Sequence, residues 1–354
     1  MRYFLSVLVI CSVVQLSFAK DAAVISDSVK VNTKTFDAGQ MIVEHITDRH
    51  YWHLFSIDRA DGTEWRAEVN LPVILYSPTH GFSCFSFGRF KDGEVAYGGY
   101  HLDEHKHIIA DDGSKFYDFS ISKVVVQILI SVILMLWIFS SVAKRYASPT
   151  VKAPKGFQSA MEVVILFIRD EVAKPMLGNK ANKYLPYLLS VFFFIWINNM
   201  LGLLPGSANV TGNIAITTTL ALMTFIILLF SSKSHYWKHI IAPPGVPYAL
   251  YPIMIPVEIL SVLTKPFALL IRLFANMTAG HLIVLSFITM IFIFAQKSLT
   301  AGIGVSIFSV AFSVFIYFLE ILVAALQAYI FTILSALFIG QAAEEPEHHI
   351  EHHK

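Results

Sequence analysis

Charged residues are scarce in this chain, and their scarcity decides its broad class. Asp, Glu, Lys and Arg make up 14% of the 354 residues, whereas hydrophobic residues make up 55%. Soluble proteins carry about 25% charged residues, so a set of two or three soluble domains, which the length would allow, is excluded. The formal net charge of +1 gives no indication of binding to nucleic acid.

Cysteine is scarce in this chain. The sequence motifs of nucleotide hydrolysis and of metalloproteolysis are missing. The chain has two cysteines. Cys11 lies in a predicted signal peptide, so the mature chain would keep only Cys84 and could form no internal disulfide. The sequence contains neither a G-x-x-x-x-G-K-[ST] loop nor a His-Glu-x-x-His motif. We therefore expect no nucleotide chemistry and no cofactor.

Two groups of histidines are the remaining candidates for metal binding. One group lies before the membrane region and the other in the C-terminal tail, residues 341–354. Their members are His101, His105 and His107, and His348, His349, His352 and His353. Neighbouring acidic residues and glycines favour a solvated loop and a disordered polar tail, with metal binding as the alternative.

The N-terminal residues predict export. Residues 1–19 have the pattern of a secretory signal peptide, with Arg2 before an apolar run and a small residue, Ala19, at the cleavage site. The apolar run is too short to cross a membrane, which takes about 20 residues. Residues 20–120 are polar, with short alternating runs separated by turn signals such as Asp61-Gly62. We expect a small, strand-rich accessory domain outside the cytoplasm.

The remainder, residues 121–340, predicts an all-α polytopic membrane domain. Three apolar stretches are long enough for single spans: residues 124–143, 184–204 and 214–230. Residues 161–168 are apolar but too short, and charges follow at once, so an amphipathic helix on the membrane surface is favoured there.

Two further apolar stretches are about twice the length of a perpendicular span. Residues 249–296 and 301–340 are almost continuously apolar, and neither has a polar segment at its midpoint where the chain could turn. Each stretch could be two helices or one long helix. We favour two long, steeply tilted helices, with kinks near Pro252, Pro256 and Pro266.

Loop charges predict the orientation. The segment 144–183 carries eight Lys and Arg residues, whereas the loop 205–213 carries none. By the positive-inside rule the segment 144–183 is cytoplasmic. We therefore expect a multi-pass protein of the bacterial inner membrane, with its N-terminal domain extracytoplasmic and its C-terminus cytoplasmic.

Ionisable and amide side chains interrupt both long apolar stretches. Glu258, Lys265 and Arg272 are seven residues apart, which places them within about 20° of one line on a helix. Each is a functional candidate because a charge at bilayer depth costs roughly 3 kcal/mol. Asp and Glu are absent from the 61 residues between Glu258 and Glu320, so a carboxylate for Arg272 has to come from elsewhere.

The second stretch repeats the seven-residue step with Glu320 and Gln327. A polar seam therefore follows each long helix, and the two seams can face one another or a common partner. For amides such as Gln327 and Asn276, a purely structural role between helices is the alternative.

Three motifs carry a resemblance to a known family. They are KPFALLIRLFANMTAGH at residues 265–281, LQAYIF at 326–331 and NNMLGLLPG at 198–206. Together with the order of the helices, they resemble subunit a of F-type ATP synthases over about residues 145–340. The segment 20–120 is not part of the shared core of that family.

The resemblance implies a role for each candidate residue. Arg272 would face the proton-carrying carboxylate of a c-subunit ring, and His281 with Glu320 would form an acid–imidazole pair. Asn276 and Gln327 would line the region beside the arginine, and Glu258 would lie at the cytoplasmic exit. Lys265 and Asn199 are also assigned to the proton channel. Gly202 departs from the family pattern, since certain members carry a carboxylate there, so no proton relay is expected at that position.

The function implied is that of a proton-translocating subunit, not an enzyme by itself. Two aqueous half-channels would load and unload the c-ring carboxylates and couple proton flow to ATP synthesis. The implied partners are the c-subunit ring, the subunit b stator stalk, other ATP synthase subunits and the lipid bilayer. A secondary transporter is the alternative, although such a protein would usually show repeated halves. Whether H⁺ or Na⁺ is carried is not decided by the sequence.

Overall fold

The computed structural model describes residues 50–58, 64–79, 81–93, 95–103, 107–146, 156–204, 206–242, 247 and 250–343. The predicted signal peptide, residues 1–19, lies outside the described residues. So do His105 and the tail from residue 344 onward, with its four histidines.

Short strands dominate the described part of residues 51–118. They are β1 (Tyr51–Asp58), β2 (Glu64–Asn70), β3 (Pro72–Ser77), β4 (Gly81–Ser86), β5 (Tyr100–Leu102), β6 (Ile108–Ala110) and β7 (Tyr117–Asp118). All pairs are antiparallel, in the orders β1-β2, β4-β3-β7 and β5-β6. We refer to residues 51–118 as the strand region.

Alternation along β3 builds the core of the strand region. Val73 and Leu75 are fully buried, as period-two alternation requires for one face of a sheet. They pack with Phe87, Phe90 and Tyr100 in one apolar cluster. Pairing with β3 continues beyond β7: the backbone N–H of Phe119 donates to Ile74, and that of Ile121 donates to Pro72. The strand region is therefore hydrogen-bonded almost to the residue where the first long helix begins.

The rest of the described chain is helical. The helices are α1 (Lys123–Tyr146), α2 (Phe157–Phe167), α3 (Lys174–Leu177), α4 (Ala181–Gly202), α5 (Ile214–Ser231), α6 (Ser234–Ile241), α7 (Tyr251–Lys297) and α8 (Leu299–Ala343). Five helical segments of the described residues are long and apolar enough to cross a membrane: α1, the run Phe157–Gly202, α5, α7 and α8. The predicted polytopic helical architecture is confirmed.

The segment predicted as a separate surface helix belongs to a longer helical run. Residues 161–168 fall in α2 and at the start of a π-helical turn, Ile168–Ala173. Helical structure then continues through α3 and a 3₁₀ turn, Gly178–Lys180, into α4. Gly178 has a φ of 53°, a conformation that glycine adopts at no steric cost, so the chain can change direction there. A surface position for α2 stays a prediction.

Each of the two longest apolar stretches forms one helix, as the sequence predicts. α7 has 47 residues and α8 has 45, which corresponds to roughly 70 Å each at 1.5 Å per residue. Pro256 and Pro266 lie inside α7 without interrupting it. The tilt of the two helices and the kinks stay predictions.

The described residues form two compact units. The segment Thr278–Leu322 is one unit, and the other described residues form the second. In the second unit, Leu188 and Phe193 of α4 pack in one apolar cluster with Leu269 and Leu273 of α7. Small residues of α8 are fully buried: Ala324, Ala328 and Ala336. Small side chains let membrane helices approach closely, so α8 can pack tightly here.

Candidate functional site

Arg272 lies on the exposed side of α7. Leu269, Leu273 and Met277 are buried against neighbouring helices, whereas Arg272 is exposed. Within the part of the chain that the structure describes, the guanidinium makes no hydrogen bond and no ion pair. Arginine stays protonated even when it is desolvated, so at membrane depth this charge requires a negative partner that the described residues do not supply.

Asn276 and Gln327 join α7 to α8 one turn beyond the arginine. The side-chain amide of Asn276 donates to Oε1 of Gln327 at 2.8 Å. Gln327 is 1% exposed, and its Nε2 has no hydrogen-bond partner among the described residues. The two amides predicted to lie beside Arg272 are thus in direct contact, and one of them keeps an unused donor.

His281 and Glu320 form a second pair within the unit Thr278–Leu322. Nδ1 of His281 lies 3.4 Å from Oε1 of Glu320, and the glutamate side chain is 4% exposed. Gly280 makes this approach possible, because a Cβ at that position would lie 2.6 Å from the same oxygen. The acid–imidazole pair expected from the sequence is present as a contact between side chains.

The surroundings of Lys265 and Glu258 include two residues that the sequence did not indicate. Nζ of Lys265 donates to Oε1 of Gln341 at 3.0 Å and to the hydroxyl of Tyr236 at 3.5 Å. It also lies 5.4 Å from the centre of the Phe338 ring, within the range of a cation–π contact. Burial, followed by the negative charge of Glu258, raises the pKa of Tyr236, so the carboxylate lies close enough to act on this phenol.

Asn199 is fully buried near the end of α4, and both ends of its amide are hydrogen-bonded. The hydroxyl of Thr211 donates to Oδ1 of Asn199 at 2.6 Å. Nδ2 of Asn199 donates to the backbone carbonyl of Ala324 in α8 at 3.2 Å. Gly202, one turn further along α4, is also buried and brings no ionisable group to this end of the helix.

Comparison with known proteins decides the family. The model of a family described as ATP synthase A chain matches residues 124–340. The chain belongs to this family. Together with the five apolar helices, the match makes it a multi-pass membrane protein. A second family model, described as a domain of unknown function, matches residues 41–126.

Bacterial relatives extend the similarity beyond the ATP synthase A chain match. "ATP synthase subunit a" of Chlorobium phaeobacteroides (strain DSM 266) is 49% identical over 291 residues, which is 81% of this chain and 78% of the relative. "ATP synthase subunit a 2" of Chlorobaculum tepidum is 49% identical over 76% of this chain and 72% of the relative. The subunit of Chlorobium phaeobacteroides strain BS1 is 44% identical over 313 residues, 87% of this chain and 85% of the relative. That last alignment reaches into the strand region.

Sequence reasoning missed four contact residues: Tyr236, Gln341, Thr211 and Asn209. Gln341 lies fourteen residues after Gln327, so extending the seven-residue step of α8 by two further steps would have found it. Thr211 and Asn209 lie in an uncharged loop, and Tyr236 lies in a short helix, without any periodic signal. Their partners are far away in sequence, so only the folded chain identifies them.

The described histidines of the strand region do not form a metal centre. Nδ1 of His101 lies 2.5 Å from Oδ1 of Asp111, and Nδ1 of His107 lies 3.9 Å from Asp103. No group of three or more metal-ligating side chains occurs among the residues that were searched, which are the described ones. The two pairs join neighbouring parts of the strand region.

Substituting Gly280 by alanine is expected to lower proton flux at least tenfold without preventing assembly. The added methyl group occupies the position of the Glu320 carboxylate, which would have to rotate away from His281. Gly304→Ala in α8 is the matched control, because nothing lies within 4 Å of a Cβ there. Both changes add the same helix-favouring residue. Proton flux per assembled complex in membrane vesicles is the measurement, and equal flux in the two variants would contradict the proposed role of the pair.

Proposed function

We propose that this chain is the proton-translocating stator subunit of an F-type ATP synthase, carrying protons to and from a rotating ring of c subunits. The observation that supports this most is the state of Arg272, an exposed cation on an apolar helix with no ion pair among the described residues. A carboxylate presented by another chain would neutralise it. The chain itself performs no nucleotide chemistry, in keeping with the non-catalytic role of the a subunit.

Arg272 separates two half-channels in this proposal. Its charge is permanent, so it offers no vacant proton site and repels a hydronium ion. The same charge attracts each deprotonated c-ring carboxylate as the ring turns, and the unused donor of Gln327 could hydrogen-bond to it. The hydrogen bond between Asn276 and Gln327 holds the two amides beside the arginine.

His281 and Glu320 would deliver protons from the extracytoplasmic side. Imidazole is suited to proton exchange, and its Nδ1 lies 3.4 Å from the carboxylate oxygen. A small approach of the two groups would bring them within the hydrogen-bond distance that direct transfer requires. Because Glu320 is nearly inaccessible, a proton that it accepts is held away from bulk water until a c-ring carboxylate takes it.

Glu258 would receive the proton on the cytoplasmic side. Lys265, Tyr236 and Gln341 are hydrogen-bonded to one another through the lysine ammonium, and the charge of Glu258 acts on Tyr236. We propose that this group lines the exit beside Glu258. Each charge that crosses 100 mV releases about 2.3 kcal/mol, which is the energy that the rotation uses.

The remaining assignments concern the orientation of the chain and its place beside the c ring. The strand region would lie outside the cytoplasm as an accessory domain, and the C-terminus inside. α7 and α8 would lie tilted against the c ring, and the subunit b stalk would hold the chain as a stator. The signal peptide assignment of residues 1–19 belongs to the same proposal.

Reconstitution tests the function against that of a secondary transporter. Vesicles that contain the complete complex, with its nucleotide-binding sector facing the medium, should make ATP when the vesicle interior is acidified. They should conduct protons passively when that sector is stripped off. Vesicles that contain only this chain should conduct no protons above the lipid background, since the c-ring carboxylates are missing. Solute or proton transport by the isolated chain would contradict the proposal and favour a transporter.

A further inference from the structure

The loop between α4 and α5 makes the contacts from which we draw one further inference. Residues 206–213, the brace loop, are closed by their own hydrogen bonds: Oδ1 of Asn209 accepts from the backbone N–H of Gly212 at 2.8 Å. Glycine at position 212 leaves room for this amide, because a Cβ there would lie 2.3 Å from Nδ2 of Asn209 and would displace it. The sequence therefore builds a compact loop rather than an open connection.

Two side-chain amides, one in the brace loop and one in α4, connect this part of the chain to α7 and α8. Nδ2 of Asn209 lies 3.4 Å from the backbone carbonyl of Met277 in α7. Asn199, held by the hydroxyl of Thr211 in the brace loop, donates to the carbonyl of Ala324 in α8. Met277 is the neighbour of Asn276, and Ala324 lies three residues before Gln327. The brace loop thus contacts α7 directly, and α8 through Asn199, at the level of the pair that joins the two helices.

The other side of the brace loop is attached to α1 and to the strand region. The backbone N–H of Ala208 donates to the buried Gln127 side chain at 2.7 Å. Nε1 of Trp52 in β1 donates to the carbonyl of Gly206 at 2.5 Å. Val124 of α1 packs with Ala208 and Val210 in a separate apolar cluster. The brace loop is therefore held between the strand region on one side and α7 and α8 on the other.

We propose that the brace loop positions α7 against α8 at the level of Asn276 and Gln327, and that the strand region stabilises the loop through Trp52. Apolar helices in lipid gain nothing from hydrophobicity when they slide past one another, so polar contacts and small residues have to set their register. A displacement of 1 Å at a reacting group can cost about 10²-fold in rate. Thr211 and Asn209 are then positioning residues for proton transfer, an inference that rests on the proposed function.

Thr211→Val tests the positioning role. Valine keeps the size and branching of threonine but cannot donate to Asn199, so ATP synthesis per assembled complex is expected to fall about tenfold. Thr211→Ser keeps the hydroxyl and should restore most of the rate. Thr219→Val is the matched control, because its hydroxyl only donates to the carbonyl of Ala215 in its own helix. Loss of folding alone would lower the amount of complex and leave the rate per complex unchanged.

The outcomes separate the two proposals. If the native complex shows no proton-driven synthesis, the proposed function fails. If the native complex is active and the Thr211→Val and Thr219→Val complexes make ATP at the same rate per complex, the positioning role of the brace loop is refuted. The proposed function is then unaffected. Asn209→Ala, which removes the bond to α7, carries the same test if Thr211→Val does not assemble.

Trp52→Phe tests the contribution of the strand region. Phenylalanine retains an aromatic ring but removes the donor to Gly206, so we expect an unchanged rate at low temperature and a lower temperature of half-inactivation. An unchanged inactivation temperature would show that the strand region does not stabilise the brace loop.

Discussion

Replacing Arg272 by alanine is expected to abolish proton-driven ATP synthesis while the subunit still inserts and the complex still assembles. The reason lies in the exposure of the guanidinium on α7, where its removal opens no cavity in the core. In the proposed mechanism, the variant has no charge to attract the deprotonated c-ring carboxylate or to separate the two half-channels. The measurement is ATP synthesis in membrane vesicles, together with passive proton leak, which should persist or rise.

Arg272→Lys is expected to fail as well. Lysine is a flexible point charge that can lose its proton when it is desolvated, whereas arginine is planar and remains charged. Arg145→Ala, which removes an exposed cation at the end of α1, should leave synthesis near the native rate. Substantial ATP synthesis by the Arg272→Ala complex would overturn the assignment of this residue.

Exchanging His281 and Glu320 is expected to preserve much more proton flux than removing either one. Alanine at position 281 or 320 should lower flux by one to two orders of magnitude, a size typical for loss of a positioned proton-transfer group. The double variant His281→Glu with Glu320→His keeps one acid and one imidazole in the same contact. Because the native side chains lie 3.4 Å apart, the exchanged pair can form the same contact.

The comparison needs proton flux per assembled complex for the two alanine variants and the exchange. An exchange variant no better than the worse alanine variant would show that the two groups act separately. Native-like flux in both alanine variants would remove the pair from the pathway altogether.

Much of the helical architecture could be predicted from the sequence because it depends on local composition. Uncharged runs of about 20 residues predict spans wherever they occur, and α1, α4 and α5 begin and end within a few residues of the predicted limits. The absence of any polar midpoint predicted that α7 and α8 are single helices. The run from Phe157 to Gly202 was less predictable, because its charged residues lie within a continuous helical path.

The site was predictable as far as periodicity determines it. The seven-residue steps place Glu258, Lys265 and Arg272 on one face of α7. They also place Glu320 and Gln327 on one face of α8. Periodicity does not identify partners, however. The contacts of Lys265 with Gln341 and of Thr211 with Asn199 depend on packing between distant segments. The role of Gly280 likewise becomes visible only when Glu320 is seen against it.

Cysteine crosslinking between α7 and the c ring tests the central claim most directly. Ala275 is exposed on the face that carries Arg272, and Cys84, the exposed native cysteine, would first be replaced by serine. A cysteine at 275 should form a disulfide with one placed a turn from the proton-binding carboxylate of subunit c. A cysteine at Ile133, exposed on α1, should not. Crosslinking from 275 alone is the predicted result; crosslinking from 133 and not from 275 would contradict the account.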